Sequence, residues 1–235
     1  MGIDNPLLKG RPVILAYAVG EESFLDINGN GVADTGACSP ISISGVGQAQ
    51  QCGEFIDTPE AFRDDNMNGK RDAGETFIDF NLDGAFNGPD GIYNGLLRPS
   101  TVTGPKSKHV FYNIQLVMCT DSPIIRVTDK PLSDPTAKDL TVISGPMNAI
   151  YVTVTDGNGN TMAAGSKVEI STDLGKLSGA IATDILNNNG YGVVLTPRLS
   201  ATNTPPKAGT GTLTVTVTNA SGTKFSTYVY ISGPF

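Results

Sequence analysis

Three segments of the chain place carboxylates, carboxamides and a glycine at one repeated spacing. Residues 22–31, 60–69 and 75–84 each read E-x-F-x-D-x-N-x-[ND]-G, and Glu54-Phe55-Ile56-Asp57 repeats the front half of that pattern. Side-chain oxygens at positions 1, 3 and 5, a glycine for the sharp turn at 6, a backbone carbonyl at 7 and acids at 9 and 12 make a loop for a hard, oxygen-seeking cation. The middle copy supplies the whole set: Asp64, Asn66, Asn68, the Lys70 carbonyl, Asp72 and Glu75. The third offers Asp79, Asn81, Asp83, the Ala85 carbonyl, Asn87 and, at position 12, the shorter Asp90. The first offers Asp26, Asn28, Asn30, the Val32 carbonyl and Asp34, but its position 12 is Ala37.

Cys38 and Cys52 suggest how the first loop is completed. They bracket a run of small residues, and Gly53-Glu54 beyond it matches the Gly74-Glu75 that ends the middle loop. A disulfide between them would return Glu54 to the place left by Ala37, so we expect a Cys38–Cys52 bridge and a free, buried Cys119. Oxygen donors without clustered His or Cys select Ca²⁺ over Zn²⁺ or Cu²⁺, and six to eight mixed ligands suit Ca²⁺ better than Mg²⁺; two to three ions are expected. Segments 60–63 and 73–78 leave no room for the helices of a helix–loop–helix hand, so consecutive loops sharing acids are expected instead.

Charge distribution supports a cationic partner for this block. The chain carries −7 overall, yet residues 21–90 hold fourteen carboxylates against three basic residues, a local −11 that leaves +4 elsewhere. Such a block repels phosphate, so nucleic acid is not an expected partner. With one histidine, His109, at a strand start and no nucleophile–base pair in view, no enzyme is expected. A carbohydrate-binding module would ordinarily present aromatic platforms, and the chain has no Trp. Phe24, Phe62 and Phe77 recur at repeat positions that suit packing anchors.

The elements that must position these loops are strands. Residues 150–155, 167–172, 192–196, 212–218 and 225–231 alternate with period two, and 156–160 and 219–222 read as hairpin turns. The turn at 156–160 imitates a calcium loop, but Ala164 and Lys167 stand where its acids would be. With 28 Gly and 15 Pro punctuating 235 residues, an all-β fold is expected. The division is 1–121, an N-terminal module with its insertion at about 21–100, followed by 122–235, of a size for an immunoglobulin-like β-sandwich. The break is expected at Asp121-Ser122-Pro123. No apolar run of eighteen residues occurs, and Met1-Gly2-Ile3-Asp4 before Asn5-Pro6 is not a leader, so any export signal is expected outside the chain.

Residues 154–160, 164–168, 171–177 and 209–217 resemble bacterial immunoglobulin-like domains of the invasin/intimin type. Residues 10–24 followed by the Asp/Asn/Gly loops resemble a variant of that family with a calcium-loop insertion between two strands, found in large repetitive surface proteins. The resemblance covers 11–34 and 54–235, and the split first loop departs from it at Glu54. It implies immunoglobulin-like modules, residues 11–24 and 109–120 as strands flanking the insertion, an extracellular or bacterial cell-surface location, and no catalytic residues. The expected role is a non-catalytic, calcium-stabilised module of a surface stalk or adhesin. Partners would be neighbouring immunoglobulin-like repeats of the same or another chain and a host or cell-surface protein or glycan, with no membrane insertion. Two long strands before residue 121 suggest a module whose other strands a neighbour supplies, with an edge open to pairing. The alternative is a calcium-dependent carbohydrate-binding or accessory module of a secreted protein.

Overall fold

A computed structural model describes residues 10–187 and 190–235; the expectation about the first residues, Met1 to Pro6, lies outside the described residues. The fold is all-β, with no helix among the described residues. No helix is therefore long and apolar enough to cross a membrane. The chain divides into two compact units, Met1–Leu116 and Val117–Phe235, a break that falls before the Asp121-Ser122-Pro123 link rather than at it.

Among the described residues the first unit has five strands: β1 (Val13–Gly20), β2 (Cys38–Ile41), β3 (Ala49–Cys52), β4 (Phe55–Asp57) and β5 (Lys108–Gln115). Strands β1 and β5 pair antiparallel from Val13↔Gln115 to Gly20↔Lys108. They are shorter than the expected 11–24 and 109–120. The rest of the block hangs between them, with β2-β3-β4 as a small antiparallel sheet. Its apolar contacts fall into two small clusters: Ala33, Cys52, Phe55 and Tyr93 with Phe24, and Ala61, Phe62 and Phe111 with Leu15, Val46, Phe77, Ile78 and Phe86. Clusters this small supply little hydrophobic stabilisation, which is the situation in which disulfides and bound ions stabilise a fold.

Among the described residues the second unit has ten strands: β6 (Ile124–Thr128), β7 (Val142–Ser144), β8 (Tyr151–Thr155), β9 (Lys167–Thr172), β10 (Lys176–Gly179), β11 (Ala182–Asp184), β12 (Val193–Leu195), β13 (Pro197–Ser200), β14 (Ala208–Thr218) and β15 (Lys224–Pro234). They form a five-stranded sheet, β11-β9-β14-β15-β7, a three-stranded sheet, β12-β8-β6, and a β10-β13 pair. Alternation decides which side chains turn inward. Leu213, Val215 and Val217 of β14 are fully buried and join Val168 and Ile170 of β9, Val152 and Val154 of β8, and Leu195 of β12 in one cluster, so the two larger sheets share a core as a β-sandwich.

The β14–β15 hairpin turns at Asn219, whose N–H donates to the Thr223 carbonyl at 2.9 Å, as the sequence suggests. The 156–160 turn does not make a hairpin: β8 pairs with β6 and β12, and the chain leaves the turn for β9 in the other sheet. The Asp156 carboxylate serves the turn itself, taking the N–H groups of Asn158 and Asn160 at 2.8 and 2.7 Å. Cys119 is free and half-buried, not buried, because it lies past the end of β5 in the connecting segment.

Candidate metal centre

The repeated phenylalanines pair the repeats two by two. Phe24 bridges Phe55, with Leu25 N–H on the Glu54 carbonyl and Ile56 N–H on the Ser23 carbonyl, both at 2.8 Å. Phe62 bridges Phe77 in the same way, through Arg63 N–H on Thr76 and Ile78 N–H on Ala61 at 2.8 and 2.7 Å. The rings pack edge-on: Phe24 and Phe55 meet Tyr93 at 5.2 and 5.8 Å, and Phe62 and Phe77 meet Phe86 at 5.7 and 5.9 Å. Each phenylalanine therefore anchors an aspartate two residues further on, at the mouth of a loop.

The middle loop is the fullest example. Asp64 Oδ1 accepts Asn68 N–H at 3.0 Å and its Oδ2 accepts Gly69 N–H at 2.7 Å. Asn66 Oδ1 takes Asn68 N–H at 3.0 Å, and Asn68 Oδ1 takes Lys70 N–H at 2.8 Å. Asp72 Oδ2 receives the amides of Asn66 and Asn68 at 2.7 and 2.8 Å. Glu75 closes the ring, accepting Asp65 N–H and Asp72 N–H, each at 2.8 Å. Gly69 has φ +77°, a left-handed conformation that only glycine adopts without cost; Gly31 and Gly84, at +74° and +80°, do the same for the other loops.

The first loop repeats the scheme. Asp26 takes Asn30 N–H at 3.0 Å and Gly31 N–H at 2.8 Å, Asn28 takes Asn30 N–H at 2.9 Å, and Asn30 takes Val32 N–H at 2.8 Å. Asp34 accepts the Asn30 amide at 3.1 Å. Glu54 fills the closing place, accepting Ile27 N–H at 3.1 Å. It gets there because Cys38 and Cys52 are bonded across the β2–β3 hairpin, which returns the chain to its starting point. Gly36 and Gly53 then lie so close that a Cβ on Gly36 would sit 2.8 Å from Gly53 Cα. Glu54 stands one residue before its phenylalanine, whereas Glu75 stands two before Phe77, and this offset shows. Glu54 Oε2 is buried and finds no hydrogen-bond partner among the described residues.

In the third loop Asp79 takes Asp83 N–H at 3.2 Å and Gly84 N–H at 2.7 Å, Asn81 takes Asp83 N–H at 3.0 Å, and Asp83 takes Ala85 N–H at 2.8 Å. Asn87 donates its amide to Asp83 at 3.2 Å. The closing residue is not Asp90. Glu60 accepts Phe80 N–H at 2.8 Å and Asn87 N–H at 3.0 Å, the two bonds that Glu75 makes in the middle loop. Asp90 belongs elsewhere: its N–H donates to Asp57 at 3.1 Å. The loops do not share acids along the chain; within the Phe62–Phe77 pair, each glutamate closes the loop opened by its partner's aspartate. The signal was present in the sequence, since Glu60 stands before Phe62 as Glu75 stands before Phe77.

Electrostatics add to the geometry. Burial pushes the Glu75 carboxyl above its ordinary value, and the charges of Asp64 and Asp72 push the same way against the two backbone N–H groups it accepts. An acid so placed is relieved by a cation among those carboxylates. Asp83 is held low by the N–H of Ala85 and the amide of Asn81. Arg63 pairs with Asp65 at 2.5 Å, and Arg71 stacks over the rings of Phe77 and Phe86 at 4.8 and 5.2 Å. Nowhere among the described residues do three His, Cys, Asp or Glu side chains form a ready-made cage. Each loop has an Asn oxygen at position 3, an Asn or Asp oxygen at 5 and a backbone carbonyl at 7 to complete a donor set, the composition that suits Ca²⁺.

Comparison of the chain with protein-family models, with curated proteins and with solved structures finds no match.

Proposed function

We propose that the first unit binds three Ca²⁺ ions, one in each loop, and that the chain is a non-catalytic, calcium-stabilised module of a bacterial cell-surface stalk or adhesin. The observation that carries this reading is one hydrogen-bond scaffold repeated three times, each closed by a glutamate that accepts the N–H at position 2 of the loop, Glu54 from Ile27, Glu75 from Asp65 and Glu60 from Phe80, although each glutamate comes from a different point in the chain. The orphaned Glu54 Oε2 and the raised Glu75 carboxyl suit a bound cation. Three ions would offset over half of the local −11. At extracellular calcium of about 1 mM and dissociation constants of about 10⁻⁴–10⁻³ M, each site adds roughly 0.4–1.4 kcal/mol by mass action. The first unit, with its small apolar clusters, is where such increments matter.

The second unit fits an immunoglobulin-like sandwich of the invasin/intimin type in its two facing sheets and its β14–β15 hairpin. On this reading it is the spacer of an exported protein, and neighbouring repeats are its expected partners. Calorimetric titration with Ca²⁺ after chelation tests the metal directly. Three ions are expected, and no heat at millimolar calcium overturns the reading.

One observation favours a second reading. Tyr228 and Tyr230 stand exposed on the same face of β15, at 61% and 68%, an aromatic platform of the kind sugars stack against. A carbohydrate-binding or accessory module would show shifts of these two rings on titration with oligosaccharides; a stalk segment would not.

A further inference from the structure

The fourth, partial copy of the repeat opens a loop of its own, which the chain interrupts and later completes. Asp57 is fully buried and follows Phe55 as Asp64 follows Phe62. Its Oδ1 accepts Asp90 N–H at 3.1 Å and its Oδ2 accepts Gly91 N–H at 2.5 Å. These are the bonds Asp64 takes from Asn68 and Gly69. Asp90 Oδ1 takes Ile92 N–H at 2.9 Å, as Asn68 takes Lys70, and Gly91 has φ +78°, as Gly69 has +77°. Glu22 accepts Thr58 N–H at 2.8 Å and Asn94 N–H at 2.9 Å, the closing pair that Glu75 makes with Asp65 and Asp72. Asp57 and Thr58 are thus positions 1 and 2 of a loop whose positions 5 to 9 are residues 90–94. The middle and third loops are inserted whole between them.

Two features set this loop apart. Prolines, Pro59 and Pro89, stand where positions 3 and 4 would be, so a side-chain oxygen is missing at 3. Into the site comes Lys108 of β5, itself only 6% exposed. Its ammonium lies 3.6 Å from Glu22 Oε1 and 3.9 Å from Asp57 Oδ1, and donates to the Thr58 carbonyl. Glu22 is 4% exposed and Asp57 is fully buried, so an uncompensated charge on either would be costly. In this loop the chain itself supplies a positive charge, the Lys108 ammonium.

We propose that this split loop is a fourth cation site whose cation is the Lys108 ammonium, which holds the base of the acidic block closed without metal. Neutral replacement of Lys108 then turns the loop into one that takes Ca²⁺. The Asp57, Asp90 and Glu22 carboxylates, with a backbone carbonyl at Ile92, would form its donor set.

Hydrogen exchange on the full chain, with calcium and with chelator, tests the proposal alongside native mass spectrometry of the calcium-saturated protein. In the wild type, the Gly91 and Asn94 amides should stay protected in chelator while those of Gly69 and Asp72 lose about tenfold or more of their protection. Lys108→Met should bind one more Ca²⁺ than the wild type, and Gly91 and Asn94 should become calcium-dependent. Adding Asp57→Asn should remove the extra ion. Loss of wild-type protection at Gly91 and Asn94 in step with Gly69 overturns the proposal, and so does a folded Lys108→Met protein with no added ion. If Lys108→Met does not fold, the wild-type exchange in chelator still decides. Should the wild type bind no calcium, the reading of the three loops fails, while loss of protection at Gly91 and Asn94 in Lys108→Met would still establish the lysine's role.

Discussion

Glu60 closes the loop that Asp79 opens. The Glu60 carboxylate spans the loop from Phe80 N–H to Asn87 N–H, at 2.8 and 3.0 Å, while Asp79 holds Gly84 N–H at 2.7 Å from the other side. Glu75 does the same for the loop of Asp64, and the antiparallel Phe62–Phe77 bridge sets Glu60 opposite Asp79 and Glu75 opposite Asp64.

This crossing predicts which acids matter to which ion. Glu60→Gln should lose the third ion at about 1 mM calcium and leave the second. Asp90→Ala should leave all three in place. Glu75→Ala should remove only the second, since both of its bonds go to that loop. Calorimetric stoichiometry of the three variants checks this, and loss of the third ion in Asp90→Ala would restore the uninterrupted loop.

The disulfide should act on one site. Cys52→Ser opens the β2–β3 hairpin that carries Glu54 to Ile27 N–H. Cross-linking a loop of this size stabilises by about 3 kcal/mol, so the first unit should melt earlier. The first calcium site should weaken, with the second and third unaffected. Calcium titration under reducing and non-reducing conditions provides the measurement, and equal weakening of all sites would refute the link.

Chelation should expose the acidic block and spare the sandwich. The proposed donors all lie within residues 26–87, inside the first unit, while the large apolar cluster lies in the second. Limited proteolysis in chelator should cut first in the three loops, within residues 26–34, 64–75 and 79–87, and leave residues 122–235 as a stable fragment. Earlier loss of that fragment would contradict calcium stabilisation.

Leu213→Ala should destabilise the second unit by about 2–5 kcal/mol, because Leu213 is fully buried between the sheets. Calcium affinity should be unchanged. Denaturant unfolding followed in chelator and in calcium would show one transition shifted and the other fixed.

Asp173 should give the second unit a dependence on acid pH. Its carboxylate takes Thr212 N–H at 2.5 Å and the Thr212 hydroxyl at 3.1 Å, and the backbone N–H above all holds its pKa below the ordinary 3.8. A carboxyl held low contributes stability that is present above its unfolded value and lost as pH falls towards the folded one. Asp173→Asn should therefore lower the melting temperature above pH 4, and the gap to wild type should close as pH drops below 3.8. A gap that persists unchanged at pH 2.5 would remove the carboxylate from that role.

The Asp/Asn/Gly loops were legible in the chain because their chemistry is local. Asp64, Asn66, Asn68 and Gly69 reach one centre through a single turn, and spacing alone dictates it. The period-two alternation of residues 212–218 likewise announces a half-buried strand wherever that strand ends up. The closing acids were only partly legible. Glu75 follows its own loop directly, and Glu54 could be inferred from two cysteines whose pairing shortens the path. Glu60 and Glu22 reach loops opened by Asp79 and Asp57 only after Phe62 has met Phe77 and Phe24 has met Phe55, and those pairings are non-local. Lys108 was least visible of all: a lysine at a strand start reads as solvated until β5 carries it under two buried carboxylates. Periodicity and spacing determine what a segment can form by itself, whereas a charge is matched across space, and only tertiary packing decides which charge it meets.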